Sequence, residues 1–173
     1  MYFPFLNIFA GMNQAHLLLG GNIGDRLSTL QKAFSLVEIQ IGKIIKHSAI
    51  YETAAWGQTD QPNFLNQAIL VETALTPPKL LTQIISIELA LGRERNEHQW
   101  AARTIDIDIL LYGPLILRTD FLEIPHPRLP ERKFALIPLA EIDQDVKHPV
   151  SRKTIATLNE LCTDTLQVWR YQT

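Results

Sequence analysis

The stretch Arg103-Thr-Ile-Asp-Ile-Asp-Ile-Leu-Leu111 sets two carboxylates two residues apart in a run of isoleucines. Successive side chains of an extended chain point to opposite faces, so Asp106 and Asp108 share one face and Ile105, Ile107 and Ile109 the other. At the usual strand rise the two α-carbons lie about 6.6 Å apart, close enough for both carboxylates to converge on a hard cation and uncomfortable without one. Magnesium suits such a pair, because it takes oxygen ligands and is commonly held by one or two carboxylates plus substrate phosphates. The same alternation is also that of a half-exposed strand, so the pair needs company to mean chemistry.

Company is present on both sides. Glu88, Arg93, Arg95 and Trp100 lie upstream and Arg103 opens the run itself. Guanidiniums around carboxylates can clamp phosphate oxygens and spread transition-state charge, although each arginine alone reads as a solvated surface residue. Downstream, Ile124-Pro-His-Pro-Arg-Leu-Pro-Glu-Arg-Lys-Phe134 holds His126 between prolines that restrict where its imidazole points, followed by the basic and aromatic pair Arg132 and Phe134. His16, His47, His98 and His148 have no such setting and receive no role.

The elements that must position these groups follow from hydrophobic period. His16 to Gly20 is a short apolar run, a buried strand. Asp25 precedes Leu27, Leu30, Phe34 and Val37 at helical spacing. Ile44 to Tyr51 and Phe64 to Thr73 are rich in β-branched and aromatic residues and read as strands two and three, joined by the turn-prone 57–62 loop. Thr76-Pro77 starts a second helix that runs to Gly92, and Thr104 to Tyr112 is strand four. The order strand, helix, strand, strand, helix, strand is a ferredoxin-like α+β plan. Leu115 to Ile124 is expected to add a hairpin, Glu131 to Ile142 and Thr154 to Cys162 short helices, and Pro125, Pro127 and Pro130 an extended connector.

Composition narrows the class. A chain of 173 residues with 46% apolar content fits one domain with a sizeable core. The net charge of -2 gives no basic field for nucleic acid or an anionic membrane. Cys162 is the only cysteine, which excludes an internal disulfide framework and a multi-cysteine zinc site and points to a reducing compartment, the cytoplasm. The apolar opening, interrupted by Pro4 and with no basic residue ahead of it, matches neither a secretory signal nor a membrane span. It is expected to be an appendage of residues 1–13, with Met12 as a candidate original start, before a single domain at 14–163 and a tail at 164–173.

Ordered along the chain, Gly20-Gly-Asn-Ile-Gly-Asp25, Tyr51-Glu-Thr53, Asp60-Gln-Pro-Asn-Phe-Leu-Asn66, Glu88, Gly92-Arg-Glu-Arg95, Trp100, the Arg103 run and Pro125-His-Pro-Arg128 into Phe134 resemble the 6-hydroxymethyl-7,8-dihydropterin pyrophosphokinase family over nearly all of Gln14 to Thr163. The resemblance implies an enzyme of folate biosynthesis that moves pyrophosphate from ATP to the hydroxymethyl of the pterin and releases AMP; a monomer is expected. It implies two magnesium ions on Asp106 and Asp108, with no protein nucleophile. Arg93, Arg95, Arg103, His126 and Arg132 would contact ATP phosphates or guide loop closure, with Leu81, Glu88 and Ile109 near the nucleoside. Trp100 would touch both substrates. Phe64 and Phe134 would sandwich the pterin, Asn66 would read its amide-like edge, and Thr53, Ala54, Ala55 and Trp56 would complete its hydrogen bonds. Asp106 also belongs to the implied pterin site.

Departures from the pattern are Ala54-Ala55 in place of frequent prolines, Ala101-Ala102 in place of Gly-Pro, Phe64 for tyrosine and Gly21 for serine. Phe121 stands where some members carry arginine, leaving that phosphate contact absent or supplied by Arg118. Two other readings share the residues: a ferredoxin-like binding module without turnover, and a nucleotide-sugar transferase using Asp-x-Asp. Intact Asp106, Asp108, Arg103 and His126 disfavour the first, and the short chain without a dinucleotide-binding unit disfavours the second.

Overall fold

A computed structural model describes residues 11–55, 61–93 and 102–172. Its main sheet runs β5-β1-β4-β3-β8, with β2 also on β4, and every pairing is antiparallel. The strands are β1 (Asn13–Gly21), β2 (Lys43–His47), β3 (Tyr51–Thr53), β4 (Phe64–Thr73), β5 (Asp106–Tyr112) and β8 (Val168–Arg170), and β6 (Leu117–Arg118) pairs with β7 (Glu123–Ile124) in a separate hairpin. With α1 (Arg26–Gln40) after β1 and α2 (Pro77–Ala90) after β4, the core is the ferredoxin-like plan expected from the periodicity.

Helices cover both faces. On one, Leu30, Ala33 and Val37 of α1 and Leu80, Ile84 and Ile87 of α2 pack on Leu17, Leu19, Ile69, Ile107 and Ile109. On the other, Ala135, Leu136 and Leu139 of α3 (Lys133–Asp143) and Ile155 and Leu158 of α4 (Ile155–Leu161) pack on Leu18, Ala68, Leu70, Leu110 and Leu111. This second layer stops short of the sheet's end, which leaves the pocket-facing residues of β1, β3, β4 and β5 uncovered there.

Local chemistry explains most boundaries. Asp25 caps α1 by accepting the Ser28 N–H at 3.0 Å. Thr76 sits at the N-cap of α2 without a side-chain bond. Pro77 and Pro78 open the helix and bring no N–H to cap, so the helix starts on proline geometry alone. The single strand expected over 44–51 is instead two. Ser48 interrupts it by accepting the Ala68 N–H on its hydroxyl at 3.0 Å, where a backbone carbonyl would continue the ladder. The proline-rich connector contains a 3-10 turn at Leu129–Glu131, and the expected tail contributes β8 on the edge of β3.

The alternation along β5 also changes phase. Asp106 faces Gly20 and Asp108 faces Leu18, but a bulge follows Leu17↔Ile109, and His16 then pairs with Leu111. Leu110 and Leu111 consequently both enter the α3-side core, whereas Tyr112 returns to the α1 side. Gly21 answers to a close approach: a Cβ there would lie 2.2 Å from the Thr104 carbonyl oxygen, so the segment entering β5 is packed directly on the end of β1.

Candidate active site

Pocket-facing residues of β1, β3, β4 and β5 form the floor of a cavity of about 430 Å³. Asp106 and Asp108 lie on it as the strand period requires, with Arg93, Arg103, Arg128, Arg132 and His126 around them and Thr53, Ala54, Phe64, Asn66 and Phe134 also in the lining. Four guanidiniums thus meet two carboxylates, which makes the cavity receptive to a polyanion.

The ion pairs are concentrated on Asp106. One of its oxygens takes Arg93 at 2.6 Å and the other takes Arg103. Arg93 also pairs with Glu88, whose side chain is almost fully buried behind β5 and accepts the Ile107 N–H at 2.8 Å. Burial pushes the Glu88 carboxyl up, against the pull of Arg93 and the Ile107 amide. Burial alone would lower the Arg93 guanidinium, yet Asp106 and Glu88 together raise it. Asp108 has a more distant partner in Arg132 at 3.7 Å. Burial, and then the Asp106 charge, raise its carboxyl to about 7, with Arg132 and Arg103 opposing.

Those two carboxylates fit a hard divalent cation. They share a face, their donors are all oxygen, and Asp108 is held in a state that added positive charge would relieve. Among the described residues no third histidine, cysteine or carboxylate joins them as a cation cage. Such a cation would complete its shell from substrate oxygens and water.

His126 is fastened to the edge of β5 by its N–H to the Leu110 carbonyl at 2.9 Å. Its Nδ1 accepts the Arg128 N–H at 3.1 Å, which places the imidazole proton on Nε2. Burial, reinforced by Arg132, lowers its pKa to about 4, so the ring is a neutral donor through the neutral range. In an NMR titration of the ligand-free protein, the His126 ring is expected to turn over near 4; a midpoint near 6.5 would contradict this environment.

The two aromatic residues of the lining sit on β4 and α3. Thr53 pairs in register with Phe64, and Asn66, only 3% exposed, donates from Nδ2 to Thr53 Oγ1 at 3.0 Å. Gly20 leaves room for this, since a Cβ would come within 2.8 Å of Asn66 Oδ1. Phe134 lies in the first turn of α3, and the Arg132 guanidinium lies 5.5 Å from its ring centroid.

Several of the expected site residues are not part of this cavity's lining. Ile109 is buried in the α1–α2 core and Leu81 packs on that core, so neither lines this cavity. Glu88 stands behind the floor as a brace, and Ala55 is not part of the lining. Arg118 pairs with Glu123 across the β6–β7 hairpin and Phe121 is exposed, so neither reaches the pocket. Arg95, Trp56 and Trp100 lie outside the described residues. Gln61, Pro127 and Arg128 line the cavity although no role was read for them. The signal for Arg128 was its place two residues after His126 in the proline-rich run.

An acidic pair ringed by guanidiniums, sharing one cavity with two aromatic rings on a ferredoxin-like sheet, has the make-up of a phosphoryl-transfer site. The 7,8-dihydro-6-hydroxymethylpterin-pyrophosphokinase family model matches residues 16–144. A 2-amino-4-hydroxy-6-hydroxymethyldihydropteridine pyrophosphokinase of Aquifex aeolicus is 43% identical over 144 residues, 83% of this chain and 89% of that one. Its counterpart in Bacillus subtilis is 42% identical over 159 residues, 91% of each chain. A Plasmodium falciparum HPPK-DHPS structure superposes with a TM-score of 0.72 at 20% identity over 90% of this chain, which spans 47% of that longer one; this likeness is of fold. The chain belongs to the 7,8-dihydro-6-hydroxymethylpterin-pyrophosphokinase family, transferases of the diphosphotransferase kind in folate biosynthesis.

Proposed function

We propose that the chain transfers the terminal diphosphoryl group of ATP to the hydroxymethyl of 6-hydroxymethyl-7,8-dihydropterin in a magnesium-dependent reaction. The hydroxyl oxygen bonds to the β-phosphorus, the bond from that phosphorus to the α–β bridging oxygen breaks, AMP leaves and the hydroxyl proton is released. The observation that carries this reading is the union, in one cavity, of the Asp106–Asp108 pair and its arginines with the Phe64, Asn66 and Phe134 wall.

Asp106 and Asp108 would hold magnesium, which when bound would neutralise charge on the triphosphate. Arg103 and Arg132, with Arg93 and the neutral His126, bind phosphate oxygens, while Arg95 and Trp100 are assigned to the same work by family likeness. Phe64 and Phe134 stack on the flat pterin. Asn66 reads its amide-like edge, beside Thr53 and Ala54. The adenine is assigned to the α2–β5 seam near Leu81 and Ile109. Alignment and electrostatics suffice for such a transfer, so no protein nucleophile is required. The protein works as a monomer, and among the described residues no helix is long and apolar enough to cross a membrane.

Incubation with ATP, magnesium and the hydroxymethyl pterin is expected to yield AMP in proportion to pterin diphosphate. Release of ADP, or no pterin-dependent turnover by folded protein, would sink the reaction.

A further inference from the structure

The Gly20–Asp25 segment contains a side chain that the reaction does not use. Asn22 is 1% exposed, and its amide is consumed by two distant pieces of chain. Oδ1 accepts the Arg103 N–H at 2.8 Å. Nδ2 donates to Gln61 Oε1 at 3.2 Å and to the Pro62 carbonyl at 3.1 Å. The Asn22 N–H donates in turn to the Arg103 carbonyl at 2.9 Å, so Arg103 is gripped at both backbone groups.

We propose that Asn22 is a positioning residue that sets the separation between the phosphate-handling half of the cavity and the acceptor half. The names of the halves rest on the pyrophosphokinase reading; the link itself rests on the geometry. Arg103 carries the guanidinium on Asp106, and the Gln61–Pro62 segment leads directly into Phe64 and Asn66. Only an amide supplies an acceptor for one segment and two coplanar donors for the other. An aspartate at this position would keep the bond to Arg103 but set an oxygen against the Pro62 carbonyl. The surroundings leave the linkage little slack. Gly21 is packed on the Thr104 carbonyl, and Arg26 fixes the next residue of the loop by donating to the Asn63 carbonyl at 2.7 Å and to Glu52 at 2.8 Å.

The test compares Asn22→Ala, Gln61→Ala and the double variant of the full chain. Turnover is followed by AMP release, and calorimetry measures the hydroxymethyl pterin and, separately, magnesium with a non-hydrolysable methylene analogue of ATP. Misplacement of reacting groups by about 1 Å costs on the order of 100-fold, so Asn22→Ala is expected to lower kcat by at least about tenfold. Pterin binding should weaken about fivefold and analogue binding by less than about threefold, with the double variant losing less than the product of the two single losses because the Asn22–Gln61 bond is removed by either change. A kcat within about twofold of the parent, or effects that multiply in the double variant, would overturn the proposal. If Asn22→Ala does not fold, Gln61→Glu against Gln61→Ala decides. The glutamate keeps the acceptor for Asn22 and should restore pterin affinity, and equal defects in both would overturn the link. A parent protein that releases no AMP sinks the reaction alone, since the calorimetric comparison still judges Asn22.

Discussion

Asp108→Ala is expected to remove turnover by about 10³-fold or more while leaving the protein folded and no less stable than the parent. The two halves of that expectation share a cause. Asp108 is held in a pocket whose burial, together with the Asp106 charge, raises its carboxyl to about 7. Above that pH the charged form is unfavourable in the ligand-free protein, so its removal relieves the fold even as it removes half of the proposed cation site. Its ion pair with Arg132, at 3.7 Å, is too long to hold the structure together. Thermal unfolding at pH 8 beside AMP release gives the check. Turnover within tenfold of the parent would mean that the pair does not carry the reaction, and a large loss of stability would mean that Asp108 is a structural residue.

The second large effect is on stability and comes from Glu88→Ala. This glutamate, expected near the nucleoside, braces the strand behind the Asp106–Asp108 pair. Its truncation strands the buried Ile107 N–H and takes one of two carboxylate partners from Arg93, leaving it Asp106, a change that costs about 3 kcal/mol. Ile107 lies between the two aspartates, so turnover should also fall by at least about tenfold as the strand shifts. Glu88→Gln keeps an acceptor for the amide and should recover most of the stability. Urea unfolding of the three proteins decides: a loss below about 1 kcal/mol in the alanine variant would remove the brace from the account.

Period-based signals carried far. The shared face of Asp106 and Asp108, the helix behind Asp25, the strand from Phe64 to Thr73 and the hairpin before His126 all depend on local pattern, and the structure forms each of them. What escaped depends on contacts between segments remote in sequence. Ser48 breaks a strand because its hydroxyl meets an amide on β4, and β8 exists because the β3 edge is there to receive it. Neither fact leaves a local trace in composition. Within the cavity, residue types and family order pointed to the acidic pair, the arginines and the aromatic wall. Asn22 and Gln61 carry no such signal, because an asparagine in a glycine-rich turn reads first as a turn former.

The bulge between β1 and β5 has a consequence for inheritance and for engineering. It separates one ladder into two independently phased parts: a pocket end where Gly20 and Leu18 set the two aspartates, and a distal end where His16 and Ala15 meet Leu111 and Tyr112. A slip of one residue flips every side chain of a continuous ladder to the opposite face, but here the irregularity can absorb such a slip at the distal end. Lineages could therefore lengthen or shorten the far half of the sheet without turning the aspartates away from their site. A designer transplanting that site would need to carry little of the ladder beyond residues 17–21 and 106–109.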